Sequence, residues 1–433
     1  MTSPVWHPFT QHGLGEPVPR IVRAEGASLW TEDGRRIVDA ISSWWVTTHG
    51  HCHPTIMRAI GEAASNLDQV MFAGWTHEPA EALARELIEL LPYPLAYVFY
   101  SDSGSTSVEV AIKMALGFWA NRGAPRHRVA VLESSYHGDT VGGMSLGARG
   151  AFNRTYAPLL FDVDTLPFPA EGREQQTLDA LELLCASGTL AAFIAEPLVL
   201  GAGGMRIYPP ATLAALRAIC AKHDVIFIAD EVMTGWGRTG TRFACEQADV
   251  VPDIMCLSKG LTGGAVPLAV TIATAEIFEA HRAKERSKML FHSSSFNANP
   301  IACAAARANL KVWREEPVLE RIASLAGRQA ERLRSISHLP CLASLRQCGT
   351  ITAMEFGGDE SAYLSNLGPA LLAFFGKRGL LLRPLGNTIY VMPPYCIGDE
   401  DLGAIYEAIE EAAVSGAFDG NGEGLGKSPQ VTA

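Results

Sequence analysis

Short apolar runs recur through the middle of the chain, at residues 97–100, 128–132, 192–195, 225–232 and 253–260. They are bounded by polar residues or Gly, and the two longest keep unbroken apolar centres. This predicts strands buried on both faces of a parallel sheet. Between them apolar residues fall at three- and four-residue spacing; Val108, Ile112, Ala115, Leu116 and Trp119 share one such helical face. Helix and strand alternate in this way from about residue 54 to 310, which predicts an α/β fold with a doubly wound, mostly parallel sheet flanked by helices. The opening is different. Short segments at 21–25, 28–30 and 37–39 surround an Asp33-Gly34 pair, the signature of a hairpin turn. After about residue 315 the pattern shifts to long helices with strands near 351–356 and 388–392, as in a smaller α+β domain packed with the amino-terminal segment. The expected division is an N-terminal segment of the small domain (1–45), a large domain (46–315), a C-terminal small domain (316–414) and a Gly-rich, disordered tail (415–433).

Composition narrows the function. The chain has 433 residues, 48% of them hydrophobic, enough to bury a sizeable interior. A net charge of −11 argues against a nucleic-acid partner held by phosphate contacts. No apolar stretch approaches the roughly 20 residues of a membrane span. The opening, Met1-Thr2-Ser3-Pro4-Val5-Trp6-His7, has neither a basic nor an apolar leader region, so a cytoplasmic location is expected. Nine scattered Cys residues fit reduced thiols better than a disulfide framework. The cluster His49-Gly50-His51-Cys52-His53-Pro54 lacks a second ligand pair, so a turn leading into a helix near Pro54 is favoured over a metal site.

The chemistry concentrates at the carboxyl ends of the predicted strands, where α/β sheets bind ligands. Asp230 ends one buried run and Lys259 another. A carboxylate able to pair with a pyridinium nitrogen, together with a lysine able to bind an aldehyde covalently, matches pyridoxal phosphate. A strand-terminal lysine is ordinarily only a solvated surface residue, but this one precedes Gly260, Gly263 and Gly264, which suit a loop folded around a ring. Ser101-Asp102-Ser103-Gly104-Ser105-Thr106 lies between a strand and a helix; read alone it is an ordinary N-cap, and beside Asp230 and Lys259 it is a phosphate site. Tyr136-His137-Gly138-Asp139-Thr140 offers an aromatic ring for stacking, and Glu196-Pro197 precedes the flexible turn Gly201-Ala202-Gly203-Gly204.

These residues resemble the class III pyridoxal-phosphate aminotransferases of fold type I, over about residues 6–411. Asp230-Glu231-Val232, Gly235-Trp236-Gly237-Arg238-Thr239-Gly240 and Ser258-Lys259-Gly260 match the motifs of that class. Within it, Trp6-His7-Pro8-Phe9-Thr10-Gln11, Ser42-Ser43-Trp44-Trp45, Tyr136-His137-Gly138-Asp139-Thr140 and Arg383-Pro384-Leu385-Gly386 are similar to the branch that transfers an amino group from S-adenosylmethionine to 8-amino-7-oxononanoate in biotin biosynthesis.

The resemblance implies pyridoxal 5'-phosphate as cofactor, Lys259 as its covalent anchor and proton shuttle, and Asp230 as the partner of its pyridine nitrogen. It places Val232 and Tyr136 on the two ring faces, Gly104 and Ser105 on the phosphate, and Glu196 near the phenolic side. Ser295 stands where the family has a Thr that reaches the phosphate from the neighbouring subunit, which implies a homodimer with shared active sites. Trp44, Trp45, Ser293 and Arg383 are implied substrate contacts, with Tyr136 shared between ring and substrate and with Asp139 and Arg238 behind them. Phe9 replaces a Tyr found in many members, so the hydroxyl that would touch substrate is missing. Rival readings are a class III enzyme using lysine, an ω-amino acid, ornithine or a polyamine, and a regulator built on the same domain. The regulator would need a helix-turn-helix module and a basic surface, and neither is visible.

Overall fold

The computed structural model describes residues 3–150, 152–356 and 367–415; the Gly-rich tail beyond Ser415 lies outside them. Strands β1 (Ile21–Glu25), β2 (Ser28–Thr31) and β3 (Arg36–Asp39) form an antiparallel meander turned at Asp33-Gly34, where Gly34 takes a φ of +83°. The chain then enters the large sheet with β4 (Leu95–Ser101), β5 (Arg128–Leu132), β6 (Asp164–Leu166) and β7 (Leu190–Ala195). After the small hairpin β8 (Val199–Leu200) and β9 (Arg206–Ile207), the sheet is completed by β10 (Ile226–Asp230), β11 (Ile254–Leu257) and β12 (Ala269–Thr274).

The seven strands lie in the order β4-β12-β11-β10-β7-β5-β6. β12 runs antiparallel to both its neighbours, and the remaining pairs are parallel. The carboxyl ends of β4, β5, β7, β10 and β11 therefore share one rim. Every residue of β7, β10 and β11 is buried, which is why those runs are apolar except for Asp230 at the end of β10. Helices cover both faces, and the amphipathic segment predicted around Val108 is the helix Gly104–Asn121, packed with Val108, Ala115 and Trp119 buried.

Beyond the long helices Pro300–Glu315 and Val318–Ile336, β13 (Leu342–Cys348), β14 (Ile351–Phe356) and β16 (Thr388–Val391) form a second antiparallel sheet. Between them β15 (Leu380–Leu381) pairs in parallel with β3, so the end of the chain joins its beginning. Among the described residues no helix is long and apolar enough to cross a membrane.

Phe193 on β7 and Phe227 on β10 are fully buried and stacked, with centroids 5.9 Å apart, at the centre of the large sheet. Truncating a buried aromatic leaves a cavity that close packing cannot refill. Phe193→Ala should therefore destabilise the protein by about 3–5 kcal/mol, read as a lower urea midpoint; an unchanged midpoint would place this pair outside the core.

Candidate active site

The shared rim encloses a cavity of about 140 Å³ lined by Trp45, Gly104, Ser105, Tyr136, His137, Gly138, Glu196, Asp230, Val232, Met233 and Lys259. Gly104 and Ser105 follow β4, Tyr136, His137 and Gly138 follow β5, Glu196 follows β7, Asp230, Val232 and Met233 stand at the end of β10, and Lys259 follows β11. Asp230 is the last residue of β10 and is 5% exposed. Its Oδ1 accepts from the Val232 amide at 3.1 Å, and its Oδ2 lies 2.7 Å from His137 Nδ1. An acceptor-only carboxylate requires the proton on Nδ1, so His137 donates to Asp230. Among the described residues His137 Nε2 is buried without a partner.

Glu196 follows β7 and is buried. Its oxygens accept from the Tyr136 amide at 3.1 Å and the Gly201 amide at 2.9 Å, which ties the β5 loop to the β7 turn. Burial pushes its carboxyl up to about 7, with the neighbouring Asp230 charge adding to the rise and His137 opposing it. Burial also raises the Tyr136 phenol, reinforced by Asp139, Asp230 and Glu196. Lys259 opens a short 3-10 turn after β11 at a φ of +48°. Enclosure pushes its ammonium down from 10.5 to about 8, against the raising effect of Asp230 and Glu196. Its Nζ sits 4.9 Å from the Trp45 ring centroid.

The helix Gly104–Asn121 points its amino terminus into this cavity, with Ser103 and Thr106 forming a reciprocal capping box. The approach is close. A Cβ at Gly104 would stand 2.6 Å from Val232 Cγ1, and one at Gly138 would stand 2.1 Å from Ser105 Oγ. An enclosed lysine, a hydrogen-bonded anion near it, an aromatic wall and a free helix amino terminus are the donor set that pyridoxal phosphate requires. The cavity fits that group.

Phe9, Trp44 and Arg383 gather outside it. Phe9 packs on Trp44 with centroids 5.6 Å apart and on Phe152 at 5.9 Å, while Arg383 Cζ lies 5.7 Å from the Trp44 ring. Arg383 Nη2 also donates to the Phe9 carbonyl at 3.4 Å. Asp139 lines an adjoining cavity of about 640 Å³ that shares Tyr136 and Gly138 with the inner one. Ser293 and Ser295 are exposed and line neither cavity; the Ser295 carbonyl accepts from Gln69 Nε2 at 2.8 Å.

Arg238, expected behind the substrate contacts, lines neither of these two cavities. It is 1% exposed, and its guanidinium donates to the carbonyls of Pro393 (3.2 Å), Trp45 (3.3 Å) and Thr47 (3.0 Å). A rigid fork engaged by backbone carbonyls braces the Trp45 loop from behind. Sequence reasoning assigned no role to His137, Met233 or Tyr390. Tyr390 accepts from Trp45 Nε1 at 3.0 Å across 345 positions of sequence, a pairing no local signal announces. The histidines of the 49–53 cluster diverge: His49 meets Asn309, His51 meets Asp39 and His53 meets Glu316. Among the described residues no three His, Cys, Asp or Glu side chains converge as metal ligands.

The family model for class III aminotransferases matches residues 11–413. An adenosylmethionine-8-amino-7-oxononanoate aminotransferase of Synechococcus elongatus is 43% identical over 94% of this chain and 97% of its own length. One from Mycobacterium leprae is 38% identical over 94% of each. The crystal structure of the enzyme of that name from Methanocaldococcus jannaschii superposes with a TM-score of 0.89 at 33% identity, covering 94% of this chain and 97% of the other. A PLP-bound amine transaminase from an uncultivated Pseudomonas species gives 0.90 at 29% identity, covering 96% and 99%. With its lysine, aspartate and helix amino terminus gathered on one sheet rim and this similarity along nearly all its length, the chain belongs to the class III aminotransferases.

Proposed function

We propose that this protein is a pyridoxal-phosphate aminotransferase of biotin biosynthesis, working in the cytoplasm as a homodimer with shared active sites. It transfers an amino group from S-adenosylmethionine to 8-amino-7-oxononanoate. The observation that carries the reading is the enclosure of Lys259, Asp230, Tyr136 and Glu196 in one cavity beneath Trp45, with Trp44, Phe9 and Arg383 at the outer edge. The relatives named for this reaction, at 33–43% identity, favour it over other class III activities.

Pyridoxal phosphate, when bound, supplies an electron-accepting ring that stabilises negative charge at the substrate carbon. The chain does the rest. Asp230, held by His137, offers a fixed negative charge to a ring nitrogen. Gly104 and Ser105 present the helix amino terminus to a phosphate. Val232 and Tyr136 bound the slot for the ring. Lys259 Nζ takes a proton from one carbon and returns it to another, a task suited to an amine that titrates near working pH. Arg383 offers a bidentate fork to a substrate carboxylate. Trp45 walls the inner cavity from water.

The dimer reading is supported by exposed apolar side chains on two neighbouring segments: Met71 and Trp75, and Phe291 and Phe296, at 60–66% exposure. The Gln69–Ser295 hydrogen bond joins the segments, and so much exposed apolar surface is characteristic of an interface. On this reading Ser295 reaches the partner's phosphate site.

Mixing the cofactor-loaded enzyme with S-adenosylmethionine should abolish the absorbance of lysine-bound cofactor, and 8-amino-7-oxononanoate should restore it. Turnover of lysine with none of S-adenosylmethionine would overturn the donor assignment.

The depressed Lys259 pKa has a defined sign. Below about 8 the ammonium predominates and cannot attack an aldehyde; above it the free amine does. Reductive labelling of the apo protein with pyridoxal phosphate and borohydride should modify Lys259, its rate levelling off above about pH 8. Asp230→Asn removes a raising charge and should move that midpoint lower. A midpoint at the ordinary lysine value would show that enclosure does not tune the amine.

Phe9→Tyr restores a hydroxyl worth about 0.5–1.5 kcal/mol, up to roughly tenfold in affinity. Arg383→Ala removes a charge-assisted pair and should cost more, about 1.5–3 kcal/mol. Comparing kcat/KM for S-adenosylmethionine in both variants checks the order; a milder loss in Arg383→Ala than the gain in Phe9→Tyr would remove Arg383 from the substrate site.

A further inference from the structure

The loop that carries Trp44 and Trp45 is strained. Ser42, Ser43 and Trp45 take φ values of 53°, 59° and 66°, in the left-handed region that favours glycine, yet none of them is glycine. Such backbone persists only where its surroundings hold it. Asp39, fully buried at the end of β3, is central to that holding. Its Oδ1 accepts from the amides of Ile41 (3.3 Å) and Ser43 (2.7 Å). Its Oδ2 accepts from the Ser43 hydroxyl (3.1 Å) and from His51 Nε2 (2.8 Å).

Three of these four donors belong to the loop or its entry and would move with it. His51 does not. Its amide donates to the Gly26 carbonyl at 2.7 Å, and its carbonyl accepts from the Gly26 amide at 3.2 Å, so its backbone is anchored beside the β1–β2 turn. Its ring also stands between Asp39 and a cleft of about 770 Å³ that His51 lines with Cys52, His53, Glu316 and Arg321. Without the imidazole, water entering from the cleft could solvate the carboxylate and let it turn with the loop.

We infer that His51 is a positioning residue for substrate recognition: through Asp39 it holds the Trp44–Trp45 loop in its strained, substrate-ready backbone. It touches neither cavity of the active site. The inference rests on the reading of Trp44 and Trp45 as substrate contacts.

The test compares His51→Leu, which removes the donor, with His51→Gln, whose amide nitrogen reaches the place of Nε2. His51→Leu should raise KM for S-adenosylmethionine at least about fivefold, since small displacements of positioning groups have large effects. Its cofactor absorbance and cofactor affinity should be unchanged. Hydrogen exchange should accelerate at residues 41–47 and stay as in the native enzyme across β10 and β11. His51→Gln should restore both readouts. In a Trp44→Ala background the effect of His51→Leu on KM should fall below about twofold, because the two changes act through one element. Ser43→Ala, which removes a second donor from the same carboxylate, should shift KM and exchange in the same direction, and it serves if His51→Leu does not fold. Unchanged KM and exchange in these variants would overturn the inference, as would a Gln variant as damaged as the Leu one or a loss confined to cofactor binding. A native enzyme that does not react with S-adenosylmethionine would instead overturn the donor reading.

Discussion

Lys259, Asp230 and Glu196 occupy one small enclosed cavity, and taking an amine and two carboxylates out of water is the constraint that the surrounding structure answers. Each group is accommodated differently. Asp230 keeps a donated hydrogen bond from His137 and another from a backbone amide. Glu196 accepts two amides and is pushed toward protonation, so it need not add a full negative charge at neutral pH. Lys259 is pushed by burial toward its neutral form. The tension that would destabilise an ordinary core leaves an amine whose proton is easily lost and regained.

That arrangement requires strand ends to converge. Five strands with parallel direction deliver Gly104, Tyr136, Glu196, Asp230 and Lys259 to one rim, and the antiparallel β12 fills the sheet between β4 and β11 without contributing to the cavity lining. Backbone permissiveness does the close work. Gly104 and Gly138 let a helix terminus and a loop approach within distances that any Cβ would block. Lys259 itself takes a left-handed φ of +48° where it enters the rim.

The outer site depends on the two ends of the chain meeting. β15 pairs with β3, Tyr390 holds Trp45, and Arg238 clamps the carbonyls of Trp45 and Thr47 and that of Pro393. The double-tryptophan loop is thus shaped by residues from both ends and the middle of the sequence. Its strain is maintained by Asp39 on one side and Arg238 on the other.

The sequence by itself determined the central strands β7, β10 and β11, because interior positions covered on both faces are apolar, whereas β6 and the antiparallel β12 carried no such signal in it. The uninterrupted apolar runs at 226–229 and 254–257 are the cores of β10 and β11. It also determined the chemistry at the strand ends, since Asp230, Lys259 and the Ser-Gly-Ser turn have few common purposes when all three follow apolar runs. Tertiary structure decided which polar residues are partners. Nothing local reveals that the His137 ring meets a carboxylate 93 positions away. The resemblance places Arg238 behind the substrate contacts, and only packing shows its fork closed by three carbonyls. Hydrophobic periodicity records burial one element at a time, whereas a buried polar group is assigned by the partner that three-dimensional packing brings to it.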